Sequence, residues 1–157
     1  NMATTIAYRF PNESSIEELS VGERAEETEN TRVNWVAFKQ QFFSSVLIAE
    51  NNFDYASMRY TTFPEGSEEL KSFNATMSIP YSKETTDYKF QFYFGPNKYS
   101  ILNKCVSEND EPLHLERLIP LGWGIFGWVN RWFAIPMFDF LSKYIGNFGW
   151  IILIMTI

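Results

Sequence analysis

The sequence contains one cysteine, Cys105, and one histidine, His114. An intramolecular disulfide is therefore impossible, and any metal site would have to be assembled from carboxylates. A Cys/His nucleophile pair is formally present, but both residues sit in the polar stretch 105–114, where nothing marks them as more than bystanders. Clusters of Lys and Arg are missing too. With a net charge of −6 and no basic run to contact phosphates, a nucleic-acid partner is excluded. Residues 1–10 show no basic region leading into an apolar core, so no signal peptide is expected there; either the protein is cytosolic or the chain begins within something longer. From Leu118 onward the only charged residues are Arg131, Asp139 and Lys143.

Aromatic residues are abundant, at 18% of the chain with fifteen Phe and eight Tyr, which suits a strand-rich or membrane-associated protein better than a helical bundle. They are unevenly placed. Trp123, Trp128, Trp132 and Trp150 all follow Leu118, whereas the stretch 13–32 carries seven Glu. This contrast sets a boundary near Leu118. It divides the chain into a domain at 1–117, an amphipathic segment at 118–146 and the start of an apolar helix at 147–157.

Before the boundary, side chains alternate with the period of two that a half-buried strand requires. Phe73, Ala75, Met77 and Ile79 face one way; Tyr88, Phe90, Phe92 and Phe94 do the same in a run that closes at Gly95-Pro96. The second set is expected to point into the core, with Lys89 and Gln91 toward solvent. Ile6, Tyr8 and Phe10 form a weaker run closed by Pro11. Residues 33–49 are apolar on both faces in places and read as one central strand covered on two sides. Asn51-Asn52 reads as a turn leading into 53–63. Five strands with little helix predict a mainly β fold, an antiparallel sandwich, with 13–32 as a solvated, glutamate-rich loop. Paired catalytic carboxylates need neighbours to hold them, and this stretch supplies few, so hydrolysis by these glutamates is not favoured. Asn74-Ala75-Thr76 matches a glycosylation sequon but is short and lies in a strand, so it carries no weight.

In the tail, successive residues at about 100° each place Ile125, Phe126, Trp128, Val129, Trp132, Phe133 and Ile135 on one helical face. Gly127, Asn130, Arg131 and Ala134 fall opposite. Past Pro136, Met137, Phe138, Phe140, Leu141, Tyr144 and Ile145 share one side, with Asp139, Ser142, Lys143 and Gly146 on the other. In a straight helix the two apolar stripes are rotated by roughly a third of a turn, and a kink at Pro136 is the expected remedy. Residues 121–145 are thus expected to form a bent helix on a membrane surface. Trp123, Trp128, Trp132, Phe133, Phe140, Tyr144 and Trp150 are the candidate interface residues, since Trp and Tyr favour the headgroup level. Residues 148–157 are uncharged but only ten long, where a span takes about twenty, so they are a transmembrane helix only if the apolar run continues.

Four segments in order carry a family resemblance: "VNWVAFKQQFFSSVLIA" (33–49), "FYFGPNKYSIL" (92–102), "LERLIPLGW" (115–123) and "IGNFGWIILIMTI" (145–157). Together they resemble the YidC-type membrane-protein insertases of bacterial inner membranes. The resemblance covers nearly the whole chain, and "FGPNKY" followed by "GNFGWIILIMTI" is its most specific pair. It implies part of a periplasmic β-supersandwich similar to sugar-mutarotase folds, then an interfacial helix, then the first of five core helices. It also implies that the remaining sandwich strands precede Asn1, leaving exposed strand edges and marginal stability. In such insertases a groove Arg in the first core helix receives nascent transmembrane segments. That position falls just past Ile157, so no groove residue is carried over.

The expected role is therefore a scaffold and anchor in an insertase, not an enzyme, with no cofactor. Its partners are membrane lipids and, through the full-length protein, nascent membrane proteins and components of the Sec translocon. The location implied is the bacterial inner membrane, this region being mainly periplasmic. The alternative is a carbohydrate-binding or mutarotase-like module, which the position of the single His in "EPLHLER" (111–117) disfavours.

Overall fold

The computed structural model describes residues 4–20, 22–83, 87–121 and 125–156, excepting the side chains of Ile125 and Phe126. Two compact units divide the chain, Asn1–Leu118 and Ile119–Ile157. The first is a β-sandwich with a helical turn or two at its end; the second is helical.

Eight strands are described: β1 (Thr5–Arg9), β2 (Glu17–Glu18), β3 (Arg24–Glu29), β4 (Val33–Lys39), β5 (Phe43–Phe53), β6 (Tyr55–Thr62), β7 (Lys71–Ser78) and β8 (Phe90–Pro96). All paired strands are antiparallel. One sheet has the order β2-β1-β4-β5-β8 and the other β3-β6-β7. Asp54 alone separates β5 from β6, so the chain changes sheet there without a loop. The two inner faces meet through Ile6, Tyr8 and Val36 on one side and Ala25, Ala56, Met58 and Tyr60 on the other, all buried. Phe73, Ala75 and Met77 of β7 pack against this core, as their alternation predicts, whereas Ile79 lies past the strand and is exposed.

The opposite face of the five-stranded sheet is also covered. Trp35, Ala37, Val46 and Ile48 alternate with the inner residues of β4 and β5 and are fully or nearly fully buried. The Trp35 indole N–H donates to the Leu113 carbonyl at 2.9 Å, which holds the segment after helix α1 (Tyr99–Leu102) over this face. Leu102, Leu113, Leu115 and Leu118 are buried in that layer, the last two on a 3₁₀ turn, Leu115–Leu118. A central sheet with two covered faces explains why β4 and β5 are apolar on both sides.

Four expectations change. The expected single strand over 33–49 is a hairpin, β4 and β5, turned at Gln40 to Phe42 and closed by the Gln40 N–H on the Phe43 carbonyl. Polar Gln40 and Gln41 permit the reversal, but continuous apolarity around them hides it. Asn51-Asn52 is an irregularity within β5, not a turn between strands. Register shifts there, from Trp35 opposite Ile48 to Val33 opposite Phe53, and Asn52 takes a left-handed φ of 61°, which Asn tolerates better than most residues. The glutamate-rich stretch is not a loop: it forms β2 and β3. Leu19 is buried and its N–H bonds the Ile6 carbonyl, while Ala25 packs into the core beside Tyr60. Backbone pairing with β6 supplies the order that composition conceals, and an edge strand rich in Glu resists pairing with another chain.

The fourth change concerns β8. Cross-strand pairs Leu47 with Phe92 and Ser45 with Phe94 put Phe90, Phe92 and Phe94 on the inner side of the sheet, as the alternation predicts. They are nonetheless 44%, 67% and 81% exposed, because the three-stranded sheet does not extend over β8. Among the described residues Phe92 and Phe94 stack on each other, at 6.1 Å between ring centres. Lys89 is exposed and ion-paired with Glu108 at 2.6 Å, while Gln91 is half-buried and donates to Glu50 at 2.8 Å.

Candidate membrane-interface site

The second unit begins its described helix at α2 (Ile125–Val129), continues without a break through a π-helical segment (Asn130–Ala134) and ends as α3 (Ile135–Ser142). Backbone dihedrals stay right-handed across both junctions, at Val129 and Ile135, so this is one continuous helix. After a turn comes α4 (Phe148–Thr156). Of the expected helix over 121–145, Leu121 and residues 143–145 lie outside helix. Trp123, one of the candidate residues, lies outside the described residues.

Exposure along this helix runs opposite to that of a helix facing water. Trp128 is 65% exposed, Trp132 70%, Phe133 62%, Phe140 57% and Tyr144 76%. Trp150 on α4 is 60% exposed. By contrast the polar residues Asn130, Arg131, Asp139 and Ser142 are all partly buried. Asn130 donates its side-chain amide to the Leu121 carbonyl at 2.8 Å, and the Ser142 hydroxyl bonds the Asp139 carbonyl at 2.9 Å. Of the expected polar strip, Lys143 and Gly146, past the end of the helix, are exposed, so the partial cover is confined to the helix itself. Of the apolar residues expected on one side of α3, Phe140 and Tyr144 form a tilted ring pair at 5.3 Å and stay exposed. Phe138 instead stacks on Phe148 of α4 at 5.7 Å, so the broad apolar face divides in two: part joins α3 to α4, and part is left open.

Among the described residues, no helix is long and apolar enough to cross a membrane. Exposed residues of the continuous helix include Trp128, Trp132, Pro136 and Phe140, spaced by four and followed by Tyr144 in the turn after α3, with Val129 and Phe133 beside them. Contiguous aromatic exposure on this scale marks a surface made for an apolar or interfacial partner.

The sandwich offers less chemistry. His114 Nδ1 lies 3.3 Å from Glu116 Oε1, and His114 adopts a left-handed φ of 56° at the start of the 3₁₀ turn. Cys105 lies one turn past α1, its thiol 3.6 Å from the Ile101 carbonyl. Burial, followed by the nearby Glu116 carboxylate, raises the Cys105 thiol above its usual value, which is opposite to what an activated nucleophile needs. A shallow polar cleft beside Arg9, Asn34, Glu50 and Asn52 is bridged internally: Arg9 donates to Asn34 Oδ1 at 3.0 Å, and Asn34 to Asn52 Oδ1 at 3.1 Å.

Comparison with known proteins gives one answer. The family model described as YidC periplasmic domain matches residues 3–140. A membrane protein insertase YidC from Parabacteroides distasonis is 43% identical over 98% of this chain, the match taking up 24% of its own length. The protein of that name from Phocaeicola vulgatus is 44% identical over 98% of the chain and 25% of its own length, and one from Bacteroides fragilis 35% identical over 100% and 25%. This chain thus spans about a quarter of the length of these relatives. No solved structure matches. The sandwich, the aromatic helix that follows it and these identities across both units lead to one conclusion: the chain belongs to the YidC periplasmic domain family.

Proposed function

We propose that this chain is the periplasmic scaffold and membrane-surface anchor of an inner-membrane insertase, a protein that inserts and folds membrane proteins alone or with the Sec translocon. The observation that carries the proposal is the exposure along the Ile125–Ser142 helix, with Trp128, Trp132, Phe133 and Phe140 open while Asn130, Arg131, Asp139 and Ser142 are partly buried. An interfacial helix has this form when its open face sinks into the headgroup region, where Trp and Tyr rings find both an apolar and a wet environment. Trp128, Trp132, Phe133, Phe140 and Tyr144 then contact lipid, with Trp123 and Trp150 flanking them along the chain. This fixes the height of whatever membrane helices follow. The reading needs no bond made or broken in this chain, no cofactor and no metal.

The direct test mixes the full chain with vesicles of bacterial phospholipid and follows flotation together with tryptophan emission. Trp35 is completely buried and serves as a constant background. Cofloatation with a blue shift supports anchoring. A chain that stays at the bottom of the gradient, with unchanged emission, refutes it and assigns the aromatic face to a protein neighbour. The absence of chemistry is tested in the full-length parent: H114A and C105A should each retain insertion of a membrane-protein client, and loss in a well-folded variant would revive a chemical role.

A further inference from the structure

Exposed residues spaced by four do not normally stay on one face of an α-helix. Four residues advance about 400°, so each step drifts about 40°, and the four steps from Trp128 to Tyr144 amount to about 160°. A row with that drift would carry Phe140 about a third of a turn from Trp128 and Tyr144 nearly to the far side. Yet all of Trp128, Trp132, Phe140 and Tyr144 are open, while Asn130, Arg131, Asp139 and Ser142 are partly covered.

The π-helical segment lies between the two halves. The Ile135 N–H bonds the Asn130 carbonyl, five residues back, in place of the Arg131 carbonyl an α-helix would use. A turn closed this way holds one more residue than an α turn, so everything downstream is set back by about 100° and the accumulated drift falls to about 60°. Pro136 follows at once, and because it has no N–H to give to a carbonyl of the preceding turn, the ladder is interrupted at this place.

We infer that the π turn at Asn130–Ala134 is a register device: its extra residue aligns Trp128 and Trp132 with Phe140 and Tyr144 on a single lipid-facing row, for which a bend at Pro136 alone is not required. This rests on the membrane-anchor reading above, and the experiment separates the two. Two forms of the full chain are prepared with Trp123, Trp128, Trp132 and Trp150 replaced by Phe except at one reporter, Trp128 in the first; the second has none of these four and carries Y144W. Each is also made with Ala134 deleted, which removes the extra residue. A further pair has one Ala inserted after Ala134, in case the deletion loses its helix by circular dichroism.

In the native backbone both reporters should be quenched alike by brominated lipid, and in the deletion or the insertion one of them should lose most of its quenching. Equal quenching in all backbones, or unequal quenching in the native one, overturns the inference. If lipid quenches neither reporter in the native backbone, the anchor reading falls while the register is still judged, by acrylamide in water. Equal access in the native backbone and unequal access in the altered ones upholds the π turn as a register device; equal access throughout overturns it.

Discussion

Replacing Trp128 and Trp132 together by Glu should release the chain from lipid. An aromatic side chain offers about 150–250 Å² of surface, and these two are 65% and 70% exposed, so each presents roughly 100–170 Å² to its surroundings. At about 25 cal/mol per Å², complete transfer out of water is worth ~2.5–4 kcal/mol per ring. An interfacial ring keeps one side wet, which leaves about half, or ~1–2 kcal/mol each. Losing both costs ~2–4 kcal/mol, a fall in partitioning of roughly 30- to 1,000-fold, before any penalty for bringing two carboxylates to the headgroups. Either single substitution should weaken binding by only about 5- to 30-fold and leave the chain attached at high lipid. The assay is vesicle flotation across a lipid titration, with W128F/W132F as the variant that keeps most of the apolar area. A folded W128E/W132E chain that partitions within about threefold of the native one would refute the energetic argument and the orientation behind it.

Three further outcomes concern the sandwich. W35F keeps most of the ring but leaves the Leu113 carbonyl without its donor in a buried layer, so urea unfolding should show a loss of about 1–3 kcal/mol. F92S/F94S should lower binding of an apolar fluorescent dye by the chain while changing its melting temperature little, because those rings are mostly exposed; a large loss of stability would show that they are packed. Burial, and then a hydrogen bond to Glu29 Oε1 at 3.1 Å, raises the Tyr8 phenol above its usual value of 10.0. A folded value above the unfolded one adds stability that is complete below pH 10 and is lost as pH climbs beyond it. Y8F should therefore flatten the decline in stability above pH 10 measured by chemical denaturation, and an unchanged slope would count against the buried phenol as its source.

The sequence by itself determined the periodicities of the strands. Alternation at Phe73, Ala75 and Met77 and at Phe90, Phe92 and Phe94 named the faces of β7 and β8 correctly, since side chains on a strand must alternate whatever surrounds them. A helical period was legible in the tail for the same reason. Coverage was not legible. A period says which way Phe92 points but not whether another sheet lies above it, and only the three-strand width of the second sheet left Phe92 and Phe94 open. Backbone pairing was hidden for a related reason: β2 and β3 are held by hydrogen bonds to β1 and β6, which their glutamates do not announce, and the reversal at Gln40 and Gln41 is fixed by the pairing of β4 with β5. In the tail, Pro136 showed that the helix must depart from a regular ladder near that point. Whether it would do so by a bend or by an extra residue depends on which carbonyl the Ile135 N–H reaches, a choice between four and five residues back that turns on the packing of the helix rather than on any one side chain.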